Sequence, residues 1–272
     1  MLLLRKIPHI VLFICDVICH LPIRQKKEQW CAMNGADLPV YSTDLFIPRY
    51  QSMRVGDWEM RCGANVLCCG YWSDTQLVLG MAALIRGYDT WMSMTPMEIE
   101  SQEIGCRLAR GHTAIMGIGM GWAAVNAALR PEVTRVTVVE RDPDVLACHE
   151  ALDVVGQLPP NAASKVQIVQ ADALEWIPDE PVTTLLADIW LPLNGDERVE
   201  EVRRMRGNTG AEHVYFWGQE MVIARRARAQ GRPLDAATVA SIVTELDLPL
   251  LGPGVLRYPE LIAKAAARHL RD

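Results

Sequence analysis

The chain lacks paired cysteine motifs, basic clusters and long apolar runs, and each absence closes off a class of function. Its eight cysteines, at 15, 19, 31, 62, 68, 69, 106 and 148, show no CxxC spacing in 272 residues. A chain of that length needs no disulfide staples, so they read as reduced core thiols in a cytoplasmic protein. Cys15, Cys19 and His20 have no second half to complete a metal site, and no metal is expected. No Lys/Arg block alternates with aromatic residues, and 27 basic against 33 acidic residues leave a net charge of -6. That balance argues against a nucleic-acid partner. The N-terminal run "IPHIVLFICDVICHLPI" imitates a signal peptide, but His9, Asp16 and His20 interrupt it and no small-residue cleavage site follows. It is too short and too polar to span a bilayer. Residues 1–32 therefore read as a peripheral extension or a mis-called start, because Met33 opens an ordinary-looking protein start. Repeats and low-complexity tracts are absent too.

What is present is a half-hydrophobic chain able to bury a sizeable core. Residues 33–94 read as a small N-terminal lid. Within it "MRVGDWEM" offers a Gly-Asp hairpin turn, and "TQLVLGMAALI" reads as an apolar helical piece. Thr95 then caps a helix with Pro96 at its first position and Glu98 three residues past the cap. From there to residue 218 the strand-like runs "TAIMGI", "VTRVTVVE", "KVQIVQ", "TTLLADIW" and "HVYFWG" alternate with helical stretches. Several are nearly all apolar, as strands covered on both faces should be. The expected fold is α/β, a doubly wound and mostly parallel sheet with helices on both faces. Residues 219–272 read as a helical C-terminal region, through "GQEMVIARRARAQ", "LDAATVASIVTEL" and "YPELIAKAAARHL".

Gly117, Gly119 and Gly121 fall between the first strand and the next helix, in "TAIMGIGMGWAAVNAAL". In a doubly wound sheet this turn lies at the carboxyl edge, where ligands bind, and glycine lets a ligand touch the backbone. A tight turn needed only for packing would look alike. Ala123, Ala124, Ala127 and Ala128 let the helix lie close on the sheet. Glu140 ends the second strand 19 residues after Gly121, where an acid can accept both hydroxyls of an adenosine ribose; a solvated carboxylate is the alternative. Asp172 follows the third strand within reach of an adenine amino group, or serves as a helix cap. Asp188 ends the fourth strand, facing whatever reacts.

At these residues the chain resembles the class I S-adenosylmethionine-dependent methyltransferases, over roughly Thr95 to Gly218. The resemblance implies a Rossmann-like core binding S-adenosylmethionine. Gly117, Gly119 and Gly121 match the turn that receives its methionine and ribose, Glu140 the ribose-binding acid, and Asp172 with Ala173 the adenine loop. Asp188 matches the acidic position after strand four. "VTVVERDPDVL" and "VQADALEWI" are similar to the spermidine synthases, which bind decarboxylated S-adenosylmethionine. Met116 stands where the family often has an acid, and the DxxD-type segment of spermidine synthases is not clear, because "IWLP" follows Asp188.

Gly119, Gly121 and Ala124 also satisfy GxGxxA, which keeps a NAD-dependent dehydrogenase open, as does a noncatalytic binding protein. Asp172 favours the adenosyl-sulfur cofactor. A methyl transferase acting on a small molecule (EC 2.1.1) is the leading expectation, with aminopropyl transfer as the alternative. Asp188 is the candidate base. Trp190, Trp217, Tyr71, Trp72 and Trp91 are candidates for an aromatic wall around a cationic substrate, and Gln219 and Glu220 for further contacts. His112, His149 and His213 read as structural, and a homodimer is compatible with this reading.

Overall fold

Four strands build the first layer. The computed structural model describes residues 39–271, so the extension read over 1–32 lies outside the described residues. β1 (Met53–Val55), β2 (Trp58–Cys68), β3 (Gln76–Arg86) and β4 (Asp89–Ser93) form one antiparallel sheet in sequential order. The expected hairpin is there: Val55 faces Trp58 across Gly56 and Asp57. The helix read into "TQLVLGMAALI" is corrected. That segment is β3, paired with β2 from Trp58↔Arg86 to Cys68↔Gln76, with Gly80 at a φ of 66°. A continuous apolar run carries no period that separates strand from buried helix, and pairing with β2 decides it.

α1 (Pro96–Leu108) begins as its cap signature requires, with Thr95 Oγ1 accepting from the Glu98 amide at 3.5 Å. Five parallel strands follow: β5 (Gly111–Met116), β6 (Val133–Glu140), β7 (Val166–Gln170), β8 (Thr184–Ala187) and β9 (His213–Phe216). Their order is β7-β6-β5-β8-β9, so the winding reverses between β5 and β8. All four residues of β8 and five of the six in β5 are buried, because helices cover the sheet's centre, whereas edge strand β7 is half exposed. α2 (Trp122–Ala128) turns Ala124, Ala127 and Ala128 inward, which lets its backbone lie close on the sheet. α3 (Pro143–Leu152), the short α4 (Pro160–Ala163) and α5 (Arg198–Thr209) complete the crossovers.

The tail folds as α6 (Gln219–Ala229), α7 (Ala236–Leu246) and α8 (Tyr258–His269). Among the described residues no strand follows β9. A single bridge, Val214↔Leu250, replaces one, with Leu251 donating to the Val214 carbonyl at 2.7 Å. No helix among the described residues is long and apolar enough to cross a membrane.

Candidate active site

The carboxyl ends of β5, β6, β7 and β8 open into one cleft of about 250 Å³, roofed by the antiparallel sheet. Its position is where the strand order reverses, the place ligands take in doubly wound sheets. Gly117, Gly119 and Gly121 have φ of 89°, 49° and 75°, all in the left-handed region where side chains are strained. A Cβ on Gly117 would overlap the Asp188 carbonyl oxygen, and one on Gly121 would overlap His149 Nε2. One on Gly119 would lie 2.7 Å from Met92 Sδ. The groups that press on this turn are therefore the protein's own: the end of β8, the roof, and α3. Gly117 and Gly119 line the cleft, whereas Gly121, read with them as a contact residue, faces His149 and is not part of the lining.

Glu140 is not merely solvated. Oε2 accepts from the Ile118 amide at 3.1 Å and Oε1 from the Asp142 amide at 2.8 Å, so the carboxylate ties the glycine turn to the end of β6. Each oxygen keeps a lone pair for a ligand hydroxyl. Asp142 caps α3 through Oδ1, at 2.9 Å from the Asp144 amide, and its Oδ2 takes a hydrogen bond from Trp58 Nε1 at 2.9 Å, with Arg86 3.7 Å away. These contacts fasten the roof. Trp58 meets Trp91 edge-on at 5.4 Å, and the Met120 amide donates to Met92 Sδ at 3.1 Å. Trp91 lines the cleft as expected, and Trp58, Arg86 and Met92 join it without having been foreseen.

Asp172 caps a turn and also lines the cleft. Oδ1 accepts from the Leu174 amide at 2.8 Å, capping the turn to Trp176, while the half-exposed carboxylate and the buried Ala173 line the cleft. Arg141 stands 3.9 Å from it.

At the β8 end, the Asp188 amide donates to the Met116 carbonyl at 3.0 Å, locking the last residues of β5 and β8 together. Gln102 Nε2 donates to Asp188 Oδ2 at 2.9 Å and to Glu98 Oε1 at 3.1 Å, bridging two carboxyls from one turn of α1. Helix α1 comes this close because Gly105 has no side chain: a Cβ there would lie 2.7 Å from the Tyr215 ring. Burial raises the Asp188 carboxyl above the usual carboxylate range, opposed by the charge of Arg198. It raises Glu98 as well, and the neighbouring Asp188 adds to that shift. The sequence reading gave Glu98 only a place in the helix cap and Gln102 none, although their i, i+4 spacing on a capped helix was a usable signal for a site role.

Trp190 and Trp217 line this end, as expected. The buried Arg198 guanidinium sits 5.0 Å from the Trp190 ring and 5.7 Å from that of Trp217. It donates to the Trp217 carbonyl at 2.7 Å and to that of Pro192. Tyr71, Trp72, Gln219 and Glu220, read as candidates for substrate contacts, do not line the cleft. The loop carrying Tyr71 and Trp72 folds against α6 and α8. There Tyr71 and Tyr258 donate to buried Glu220 at 3.2 and 2.8 Å, Tyr215 Oη stands 3.2 Å from it while giving its hydrogen to the Ser101 carbonyl, and burial pushes the Glu220 carboxyl up to about 7. Trp72 stacks at a tilt on Tyr71, 5.3 Å away. Gln219 Nε2 is spent on the Leu251 carbonyl and Tyr258 Oη, each at 2.7 Å. His112 bonds Pro181 and Thr137, and among the described residues no group of three or more His, Cys, Asp and Glu could hold a metal ion.

No protein-family model matches the chain, and no curated protein matches it. Among solved structures it is similar to the glycopeptide N-methyltransferase MtfA complexed with S-adenosyl-L-homocysteine, at 19% identity and a TM-score of 0.33, over 40% of this chain and 43% of that one. It is similar to the 23S rRNA methyltransferase ErmE at 16% identity and a TM-score of 0.33, over 43% and 44% of the two chains. The DhpI–SAH complex matches at 18% identity and a TM-score of 0.31, over 43% and 54%. The chain thus spans about half the length of these structures, or less.

Proposed function

We propose that the cleft binds S-adenosylmethionine and that the protein transfers its methyl group to a small molecule. One observation carries this reading: the glycine turn, Glu140, Asp172 with Ala173, and Asp188 stand at four strand ends around one cleft, split by the switch between β5 and β8. The donor set fits the cofactor's parts. Glu140 keeps acceptor capacity for the ribose hydroxyls, and Asp172 offers an acceptor beside an apolar floor for the adenine. When bound, the cofactor supplies an electrophilic methyl on a positively charged sulfur. The protein's work is then to position the acceptor and exclude water. The roof of Trp58, Trp91 and Met92 excludes water, while Asp188 orients the acceptor or takes its proton.

A dinucleotide fits this turn less well. NAD places its pyrophosphate on free amides at such a turn, but those of Ile118, Met120 and Gly121 are bonded to Glu140, Met92 and the Ile118 carbonyl. A second reading, aminopropyl transfer from decarboxylated S-adenosylmethionine, has its own support. The arginines lining the cleft, Arg86 and Arg141, both stand by Asp142 and Asp172. Among the described residues no arginine or lysine lines the end occupied by Asp188 and Gln102, so a carboxylate there would have no basic partner in that lining. Calorimetry with S-adenosylmethionine, S-adenosylhomocysteine, decarboxylated S-adenosylmethionine and NAD in parallel tests all three. Tightest binding of S-adenosylmethionine and S-adenosylhomocysteine is expected. Preference for the decarboxylated form selects the second reading, and preference for NAD overturns both.

A further inference from the structure

The polar groups around Asp188 are matched in an uneven way. Trp190 Nε1 is spent on Glu201, Trp217 Nε1 on Ser101 Oγ at 2.8 Å, and Tyr215 Oη on the Ser101 carbonyl at 2.6 Å. Gln102 uses both N–H bonds of its amide on Glu98 and Asp188. Where the two carboxyls are ionised, above the range to which burial raises them, reversing that amide would press its oxygen against both, so there they fix which way it points. The Arg198 Nε–H is unpartnered but buried, and Arg198 does not line the cleft, so what remains open to a ligand is acceptor capacity. Gln102 Oε1 and Asp188 Oδ1 accept from no described residue, and neither is sealed in the core, since both residues line the cleft.

We infer that this end of the cleft recognises a ligand nitrogen bearing hydrogens, so that the acceptor of the transferred group is an amine and not an alcohol or a carboxylate. The inference rests on the reading of the cleft as a transferase site and names its substrate class. An ammonium can donate to Gln102 Oε1 and Asp188 Oδ1 at once, each a charge-assisted bond. A hydroxyl has one hydrogen to give and leaves an acceptor unpaired, and a carboxylate is repelled. Asp188 Oδ1 is placed to take one N–H proton, leaving the electron pair on nitrogen. Glu98 does not line the cleft; it is a positioning residue that acts by holding the Gln102 amide.

The test uses the full chain saturated with S-adenosylhomocysteine, with ligand-observed NMR titration of 1-pentylamine, 1-pentanol and pentanoate. The parent should bind the amine at least about tenfold more tightly than the alcohol, the worth of one hydrogen bond to a charged group, and pentanoate least. Asp188→Asn, Gln102→Leu and Glu98→Leu should each bring the amine-to-alcohol ratio close to one. Glu98→Gln, whose side-chain oxygen still accepts from Gln102, should retain it. Should one variant fail to fold, as judged by its loss of S-adenosylhomocysteine binding, the others decide. A saturated parent that binds pentanol as well as pentylamine overturns the inference and leaves the transferase reading standing. So does a folded Glu98→Leu variant that keeps the parent's ratio. Failure of the parent to bind S-adenosylhomocysteine at all removes the reading and the inference together.

Discussion

Asp188 and Glu140 are both carboxylates at strand ends, yet their surroundings give them different work. Glu140 holds two backbone amides and keeps lone pairs for a ligand. Glu140→Ala should weaken S-adenosylhomocysteine binding by about 1.5 to 3 kcal/mol, roughly 10- to 150-fold, and calorimetry checks it. The 2'-deoxy analogue should then lose most of its penalty; a variant that discriminates as strongly as the parent would show that ribose is bound elsewhere. Asp188 makes one side-chain bond, to Gln102, and lines the cleft. Asp188→Asn should leave cofactor affinity within a few-fold while turnover drops by roughly 100-fold or more. Lost cofactor binding with unharmed turnover at saturation would reverse the role assigned to it.

At the scale of an element, the glycine turn separates what folding needs from what binding needs. Gly117 abuts backbone: a side chain there meets the Asp188 carbonyl, which sits in a locked strand end and cannot yield. Gly119 abuts only the Met92 side chain, whose sulfur would lie 2.7 Å from an added Cβ. Gly119→Ala should therefore fold with a loss of about 1 to 2 kcal/mol, the strain of a left-handed residue bearing a side chain. S-adenosylhomocysteine affinity should fall at least tenfold, because the displaced methionine enters the cleft. Gly117→Ala should be the more damaging to thermal stability, and equal melting temperatures for the two variants would contradict this account.

For the whole molecule, Glu220 joins elements far apart in sequence: the loop bearing Tyr71, β9 through Tyr215, and α8 through Tyr258, with Gln219 beside them. Its carboxyl is raised from 4.5 to about 7, chiefly by burial. The folded chain thus holds a proton that the unfolded chain has released between those two values. Stability should fall as pH rises from about 4.5 to about 7, since the native state binds more protons there. Glu98 and Asp188 push in the same direction. Denaturant titrations of Glu220→Gln against the parent across that range should show a flatter profile in the variant. Identical slopes would mean that Glu220 keeps its proton equally in both states.

Strand ends were legible in the sequence because apolar runs stop where backbone meets solvent. The acids standing just beyond them, Glu140, Asp172 and Asp188, could thus be placed on one edge before any coordinates. The Thr95 cap and the three C-terminal helices were legible for the same local reason: capping and helical period act within a few residues. Tertiary structure decided whatever depends on partners distant in the chain. β3 is a strand because β2 lies beside it. Gly121 faces His149 because α3 delivers that ring to it, Tyr71 stands away from the cleft because Glu220 binds it, and Gln219 because Leu251 and Tyr258 hold its amide. The lock of Glu98, Gln102 and Asp188 exists only where α1 crosses the end of β8. Local propensity is a property of a short window, whereas the direction of a side chain and the occupancy of its hydrogen bonds belong to the packed whole.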